Sequence, residues 1–175
     1  VTAPGNGQLA ALTFAGTAGG AHWIYGEVGA GGSGARPTKD GLDCIETDVT
    51  NCMNTTAEAT EMEYPVRVHR YDLWTDSGGP GEFRGGLGYR KRFEIRQPNV
   101  TFTHRRDRHD VQPWGLAGGE PAPHCRTEIH RAGGGTESIP SQATVSLGEG
   151  DVVDVFTTGG GGYGDPRERD VDALA

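Results

Sequence analysis

The chain has 175 residues, of which 30 are glycine and 10 proline, and a formal net charge of −8. That length suits a single domain over 1–175, and the acidic balance disfavours nucleic acid and anionic membrane surfaces as partners. No apolar run approaches the roughly 18 residues a membrane span needs, and no signal peptide is visible. Three widely spaced cysteines, Cys44, Cys52 and Cys125, argue against a disulfide framework. A reducing, cytoplasmic setting is therefore expected.

The first 20 residues are rich in Gly, Ala and Thr, with one apolar stretch at 9–14. Residues 22–28 form a candidate strand with Trp23 and Tyr25 on one face, and 29–41 form a long turn. One good helix is expected near 54–63. Thr55 and Glu58 have the spacing of a capping box, in which the hydroxyl accepts an N3 amide and the carboxylate reaches back to the cap amide. Pro65 stops the helix, because the residue before a proline disfavours α geometry. Residues 66–75, 89–96, 100–105, 127–131, 143–147 and 152–157 alternate and read as strands. The glycines of Gly148-Glu149-Gly150-Asp151 signal a hairpin between the last two. Six or seven short strands with one helix predict a mainly β domain, a sandwich or a distorted barrel.

Several motifs carry chemistry elsewhere and need their context tested. Gly29-Ala30-Gly31-Gly32-Ser33-Gly34 matches G-x-G-x-x-G, but a dinucleotide site needs a helix next. Ala35-Arg36-Pro37-Thr38-Lys39-Asp40-Gly41 is not one. A turn that brings Arg36 and Asp40 to a partner or a pocket is expected instead. Thr75-Asp76-Ser77-Gly78-Gly79-Pro80 is similar to the serine motif of trypsin-like proteases, yet lacks its leading glycine and the upstream His and Asp settings. The expectation is a turn in which Asp76 and Ser77 bond their own backbone. The six histidines show no metal-type clustering, so no metal is assigned to this chain. No Gly-Lys-Ser/Thr follows the glycine run 159–164, so it is not a phosphate loop. Such a run permits close backbone approach to another surface, in docking or capping. Arg105-Arg106-Asp107-Arg108, followed by Pro113-Trp114-Gly115, suits either an acidic partner surface or a solvated strand end. Thr50, Asn51, Asn54, Glu58 and Glu61 make the densest polar constellation. It reads either as helix-entry chemistry or as a substrate cavity lined by Asn51 or Glu61.

Ordered blocks run through most of the sequence: Gly34-Ala35-Arg36-Pro37, Lys39-Asp40-Gly41, Thr50-Asn51, Asn54-Thr55, Glu58, Glu61, Pro65, Asp76-Ser77-Gly78-Gly79, Gly81 and Arg84-Gly85-Gly86-Leu87-Gly88. They continue with Pro113-Trp114-Gly115-Leu116, Gly118-Gly119, Gly148, Gly150-Asp151 and Gly159 through Pro166. In these blocks the chain resembles the hydantoinase B/oxoprolinase family, which includes acetone and acetophenone carboxylase large subunits. Thr56 departs from the resemblance, standing where a proline is common. The likeness is to the C-terminal part of much longer subunits, so a separate subunit, a processed product or a fragment is expected.

The resemblance implies that a hydantoinase A-type partner binds ATP and Mg and phosphorylates an amide or enolate oxygen. It places a divalent metal in the N-terminal part of the B-type subunit, whose ligands are not in this sequence. It implies a small-molecule substrate, here a cyclic amide such as a hydantoin, 5-oxoproline or a lactam. A ketone carboxylase subunit and a non-catalytic assembly domain are the alternatives, and the chain by itself is expected to be inactive. The substrate-cavity candidates are Asn51, Glu61, Asp40 and Arg36. Thr55, Glu58, Asp76, Gly79 and Gly86 are assigned to turns and caps.

Overall fold

The computed structural model describes residues 1–7, 10–46, 51–170 and 172. Among them the strands are β1 (Ala10–Ala18), β2 (Ala21–Gly29), β3 (Val66–Leu73), β4 (Tyr89–Ile95), β5 (Val100–Arg105), β6 (Arg126–His130), β7 (Thr136–Ser138), β8 (Gln142–Leu147) and β9 (Val152–Phe156). Helix α1 is Ala57–Glu63, and a 3-10 turn covers Pro166–Glu168. The strands form two antiparallel sheets, ordered β2-β1-β5-β8 and β3-β4-β9-β6-β7. They make a sandwich rather than a closed barrel.

Alternation builds the core. In β5 the side chains of Val100, Phe102 and His104 point inward while Thr101, Thr103 and Arg105 face out. Phe14 of β1 sits opposite Phe102 in register. Its ring lies 4.7 Å from that of Phe102 and 5.2 Å from that of Phe93 in the opposing sheet. Fully burying such a side chain contributes about 1.5–3 kcal/mol. The alternation of β4 also points Lys91 into the core, where its Nζ bonds Glu27 Oε2 at 2.6 Å. The Tyr25 hydroxyl donates to the same oxygen. Leaving one member of so buried a pair without its partner costs about 3–5 kcal/mol.

Two local expectations change. Residues 148–151 do not close a hairpin: β8 pairs with β5, whereas β9 pairs with β4 and β6 in the other sheet. The glycines permit a reversal, with Gly150 at φ +82°, but they do not choose the sheet that the next strand joins. Asp151 fixes this crossover by accepting from the amides of Gly148 (3.0 Å) and Ala132 (2.9 Å). The helix cap is Thr56, not Thr55: the Thr56 hydroxyl accepts from Ala59 N at 3.3 Å. The one-residue shift puts Glu58 at N2, so the expected capping box does not form.

Outside the sandwich, segments 1–7, 29–46, 74–88, 113–122 and 157–164 form a layer of backbone packed on backbone. Gly159 N donates to Ser77 O (2.9 Å), Gly160 N to Gly86 O (2.9 Å) and Gly162 N to Glu120 O (3.0 Å). A Cβ on Gly32 would stand 1.9 Å from Gly86 O, one on Gly86 1.9 Å from Leu42 O, and one on Gly79 2.4 Å from Glu120 O. The glycine run at 159–162 is therefore buried, and the surface it approaches is the chain's own. Among the described residues no helix is long and apolar enough to cross a membrane.

Candidate functional site

The layer builds one large open cleft, about 720 Å³, from the first residues of the chain, the 33–45 segment and the 108–116 segment. Its floor is laid by backbone pairing: Ala3 N donates to Ala35 O and Asn6 N to Gly32 O, both at 2.9 Å. Arg36 opens a tight turn closed by the Lys39 amide on Arg36 O at 3.4 Å and reinforced by the Arg36 amide on Lys39 O at 3.0 Å, with Pro37 at the position whose fixed φ suits such a turn. The Arg36 guanidinium has no partner among the described residues. Arg108 adopts φ +57°, and its carbonyl accepts from Cys125 N at 2.8 Å. Its Nε donates to Asn6 O at 3.3 Å, and its guanidinium carbon stands 5.9 Å from the Trp114 ring centroid. Leu42, Ile45, Trp114 and Leu116 supply the apolar walls, and Trp114 is 54% exposed. No described Asp or Glu lines the cleft. In a chain of net charge −8, this cleft presents two guanidinium groups and an aromatic face, with no competing carboxylate among the described residues.

The other cavity candidates lie elsewhere. Asp40 accepts from Arg169 Nη1 (2.9 Å) and Nη2 (2.7 Å) and from Arg84 N (2.8 Å). The bond to the Arg169 guanidinium, more than any other contact, holds its pKa below the usual carboxylate value. Asp40 borders a separate pocket of about 390 Å³ with Glu82 and Arg169, so the turn does not bring it together with Arg36. Glu61 is exposed, and its Oε1 accepts from Val68 N at 2.8 Å, where β3 slips register against β4. Asn51 is exposed at φ +85°. Neither Asn51 nor Glu61 lines the cleft or the Asp40 pocket.

Asp76 sits in a turn at φ +60°. The Ser77 hydroxyl donates to Trp74 O (2.6 Å) and accepts from Gly88 N (2.8 Å), which leaves it no base to activate it. All three cysteines are free. No group of three His, Cys, Asp or Glu side chains converges among the described residues, so the divalent metal implied by the resemblance has no ligand set there. Nor does a helix follow the glycine hexapeptide at 29–34 to receive a nucleotide phosphate.

Sequence reasoning singled out Arg36 but missed that Arg108 and Trp114 join it. The signal was present in the basic cluster followed by Pro113-Trp114, though nothing local tied it to a turn 70 residues earlier. Asp43 and Arg169 were missed as well. Asp43 takes the Arg84 guanidinium through both oxygens, at 2.8 and 3.2 Å.

The hydantoinase B/oxoprolinase family model matches residues 1–166. A putative D-/L-hydantoinase subunit of the B type, from Pseudomonas sp. (strain NS671), is 31% identical over 95% of this chain and 28% of its own length. The crystal structure of an ATP-dependent caprolactamase from Pseudomonas jessenii is 26% identical, with a TM-score of 0.81 over 99% of this chain and 32% of that one. A nucleotide-free acetone carboxylase is 21% identical, with a TM-score of 0.76 over 95% of this chain and 27% of that one. At that identity the likeness is one of fold alone. The chain thus spans less than a third of the curated relatives it matches first, 27%, 28% and 11% of their lengths. Because the family match runs through both the sandwich and the glycine layer, the chain belongs to the hydantoinase B/oxoprolinase family.

Proposed function

We propose that this chain is part of the B-type subunit of an ATP-dependent enzyme that opens a cyclic amide, such as a hydantoin, 5-oxoproline or a lactam. The observation that carries the reading is the family match over 1–166, joined by likeness to a hydantoinase subunit and to a caprolactamase. ATP and Mg belong to a hydantoinase A-type partner subunit. The divalent metal belongs to the N-terminal part of the B-type subunit. The contribution of this chain is positional: its glycine layer presents the arginine-lined cleft toward the rest of the complex, and the chain alone turns over no substrate. The likeness to acetone carboxylase, being of fold alone, favours no second reading.

The test is ADP release by the chain assembled with its complex, offered hydantoin, 5-oxoproline or caprolactam. ADP release that rises with one of these and matches the ring-opened product supports the reading. Release that answers only to a ketone with bicarbonate, or to none of these, overturns it.

A further inference from the structure

We propose that the cleft lined by Arg36, Arg108 and Trp114 is a binding site for an oxyanion, carboxylate or phosphoryl, carried on a flat apolar body. Five other partly buried guanidinium groups are neutralised by carboxylates, whereas the fully buried Arg106 is held among the described residues by the Thr127 hydroxyl and the Phe156 carbonyl instead. Arg84 is held by Asp43, Arg90 and Arg92 by Asp154, Arg131 by Asp151, and Arg169 by Asp40. Arg36 is half-buried, lines the cleft and has no such partner among the described residues, in a chain where acidic residues outnumber basic ones by 24 to 16. Arg108 is tied at Nε to Asn6 O, which fixes the side chain where it lines the cleft. A guanidinium offers two parallel N–H donors that match the two oxygens of a carboxylate or phosphoryl group.

Trp114 supplies the second half of the recognition. It is 54% exposed, and Arg108 stands against its ring. An exposed indole beside a fixed guanidinium gives a planar body a face to stack on while its anionic end reaches the positive groups. Leu42 and Ile45 close the apolar side. A neutral ring meets the stacking surface but leaves the guanidinium groups unanswered. A bare anion meets the guanidinium groups but not the ring. The site therefore selects molecules that carry both. This inference does not depend on the cyclic-amide reading, because binding is a property of these side chains and needs no turnover.

The experiment titrates the full chain with benzoate, phenyl phosphate and benzamide, following tryptophan fluorescence and checking with calorimetry. Saturable binding of benzoate or phenyl phosphate is expected, with neutral benzamide about tenfold weaker or more. The stronger of the two anions identifies the group as carboxylate or phosphoryl. Arg36→Gln should weaken the anion about tenfold with an unchanged thermal melt, since its guanidinium holds none of the described residues in place. Arg108→Lys keeps the charge but loses the paired donors, and should weaken the anion to a smaller degree. Trp114→Ala should remove the fluorescence change and weaken the anion. Equal binding of benzamide and benzoate, unchanged affinity in Arg36→Gln, or no saturable binding of either anion overturns the proposal.

Discussion

The sandwich and the glycine layer adjoin along β4 and β9, yet they cohere for opposite reasons. In the sandwich, side chains make the contacts: Phe14, Phe93 and Phe102 fill the space between the sheets, and the backbone is satisfied by its own ladders. In the layer, backbones make the contacts and side chains are excluded. Gly32, Gly86 and Gly160 each lie so close to a foreign carbonyl that a methyl group has nowhere to go. Apolar area drives the first region. Hydrogen bonds between segments far apart in sequence, with polar staples such as Asp43 on Arg84 and on Leu87 N, hold the second. The difference teaches how a chain of modest hydrophobicity still closes: where the sandwich runs out of apolar residues, close backbone approach takes over, and it requires glycine.

The sharpest way to break this comparison is to add one methyl group to each region. Gly160→Ala places a Cβ 2.0 Å from Ser33 O and 2.2 Å from Ser33 C, both backbone atoms that cannot swing aside. Overpacking against movable neighbours costs about 1–3 kcal/mol, so against fixed backbone the expected outcome is loss of the layer altogether. Gly26→Ala in β2 has no heavy atom within 4 Å of the new Cβ. It should be neutral or stabilise by up to about 1 kcal/mol, through the entropy of the unfolded chain. Thermal melts of the two variants, with hydrogen exchange at the amides of 159–162, check the contrast. A Gly160→Ala protein with wild-type exchange would show that the layer tolerates side chains.

The same contrast governs what the sequence revealed. Strands β4, β5, β6 and β9 were legible because period-2 alternation is a local property of each segment. Strand β7 was not, being three exposed residues with no apolar side to display. Lys91 is a deeper failure of the pattern: its parity is that of a core residue, and only Glu27, 64 positions earlier, makes a lysine tolerable there. In the layer, the glycines announced turns, and several of them are turns. Their larger role, as the floor of a tertiary contact, belongs to pairs such as Gly32 with Gly86 and Gly160 with Ser33. No window along the chain contains such a pair. For the same reason Arg36 was visible as a cleft candidate while its companion Arg108 was not.

Acid should distinguish the regions by a smaller amount. His104 points into the sandwich, donates from Nε2 to Pro140 O at 2.6 Å, and has its pKa lowered from 6.5 to about 4, chiefly by burial. The nearby Arg106 charge, and His109 when protonated, act in the same direction. Between those two values the unfolded chain binds a proton that the native chain does not, so stability falls as pH falls from 6.5 toward 4. The loss is at most about 3.5 kcal/mol, since each tenfold change in proton affinity is worth roughly 1.4 kcal/mol. The carboxylates of the layer behave differently. Asp40 and Asp43, lowered by their arginine partners, keep their contribution until the pH drops below 3.8. Denaturant melts at a series of pH values, comparing wild type with His104→Gln, should show a flatter slope for the variant between pH 6.5 and 4. Equal slopes would assign the acid sensitivity to another group.

The smallest expected effect tests the junction between the regions, where α1 leaves the chain stretch that follows the layer. Thr56 caps α1 through Ala59 N, and its carbonyl accepts the Thr60 amide and hydroxyl. Thr60 is the one buried residue of this short helix, so the cap fixes both the start of α1 and its contact with the sandwich. Thr56→Ala should cost about 0.5–2 kcal/mol, the usual range for a lost cap. Thr55→Ala lies one residue outside the cap and should cost almost nothing. A seven-residue helix has little propensity to stand alone, so the loss should appear as fraying of α1 rather than as global unfolding. Hydrogen exchange at Thr60 N and Tyr64 N, whose bonds to Thr56 O and Thr60 O define the helix, is the sensitive readout. Faster exchange in Thr56→Ala alone supports the observed cap. Faster exchange in Thr55→Ala alone would restore the capping box that the sequence spacing suggested.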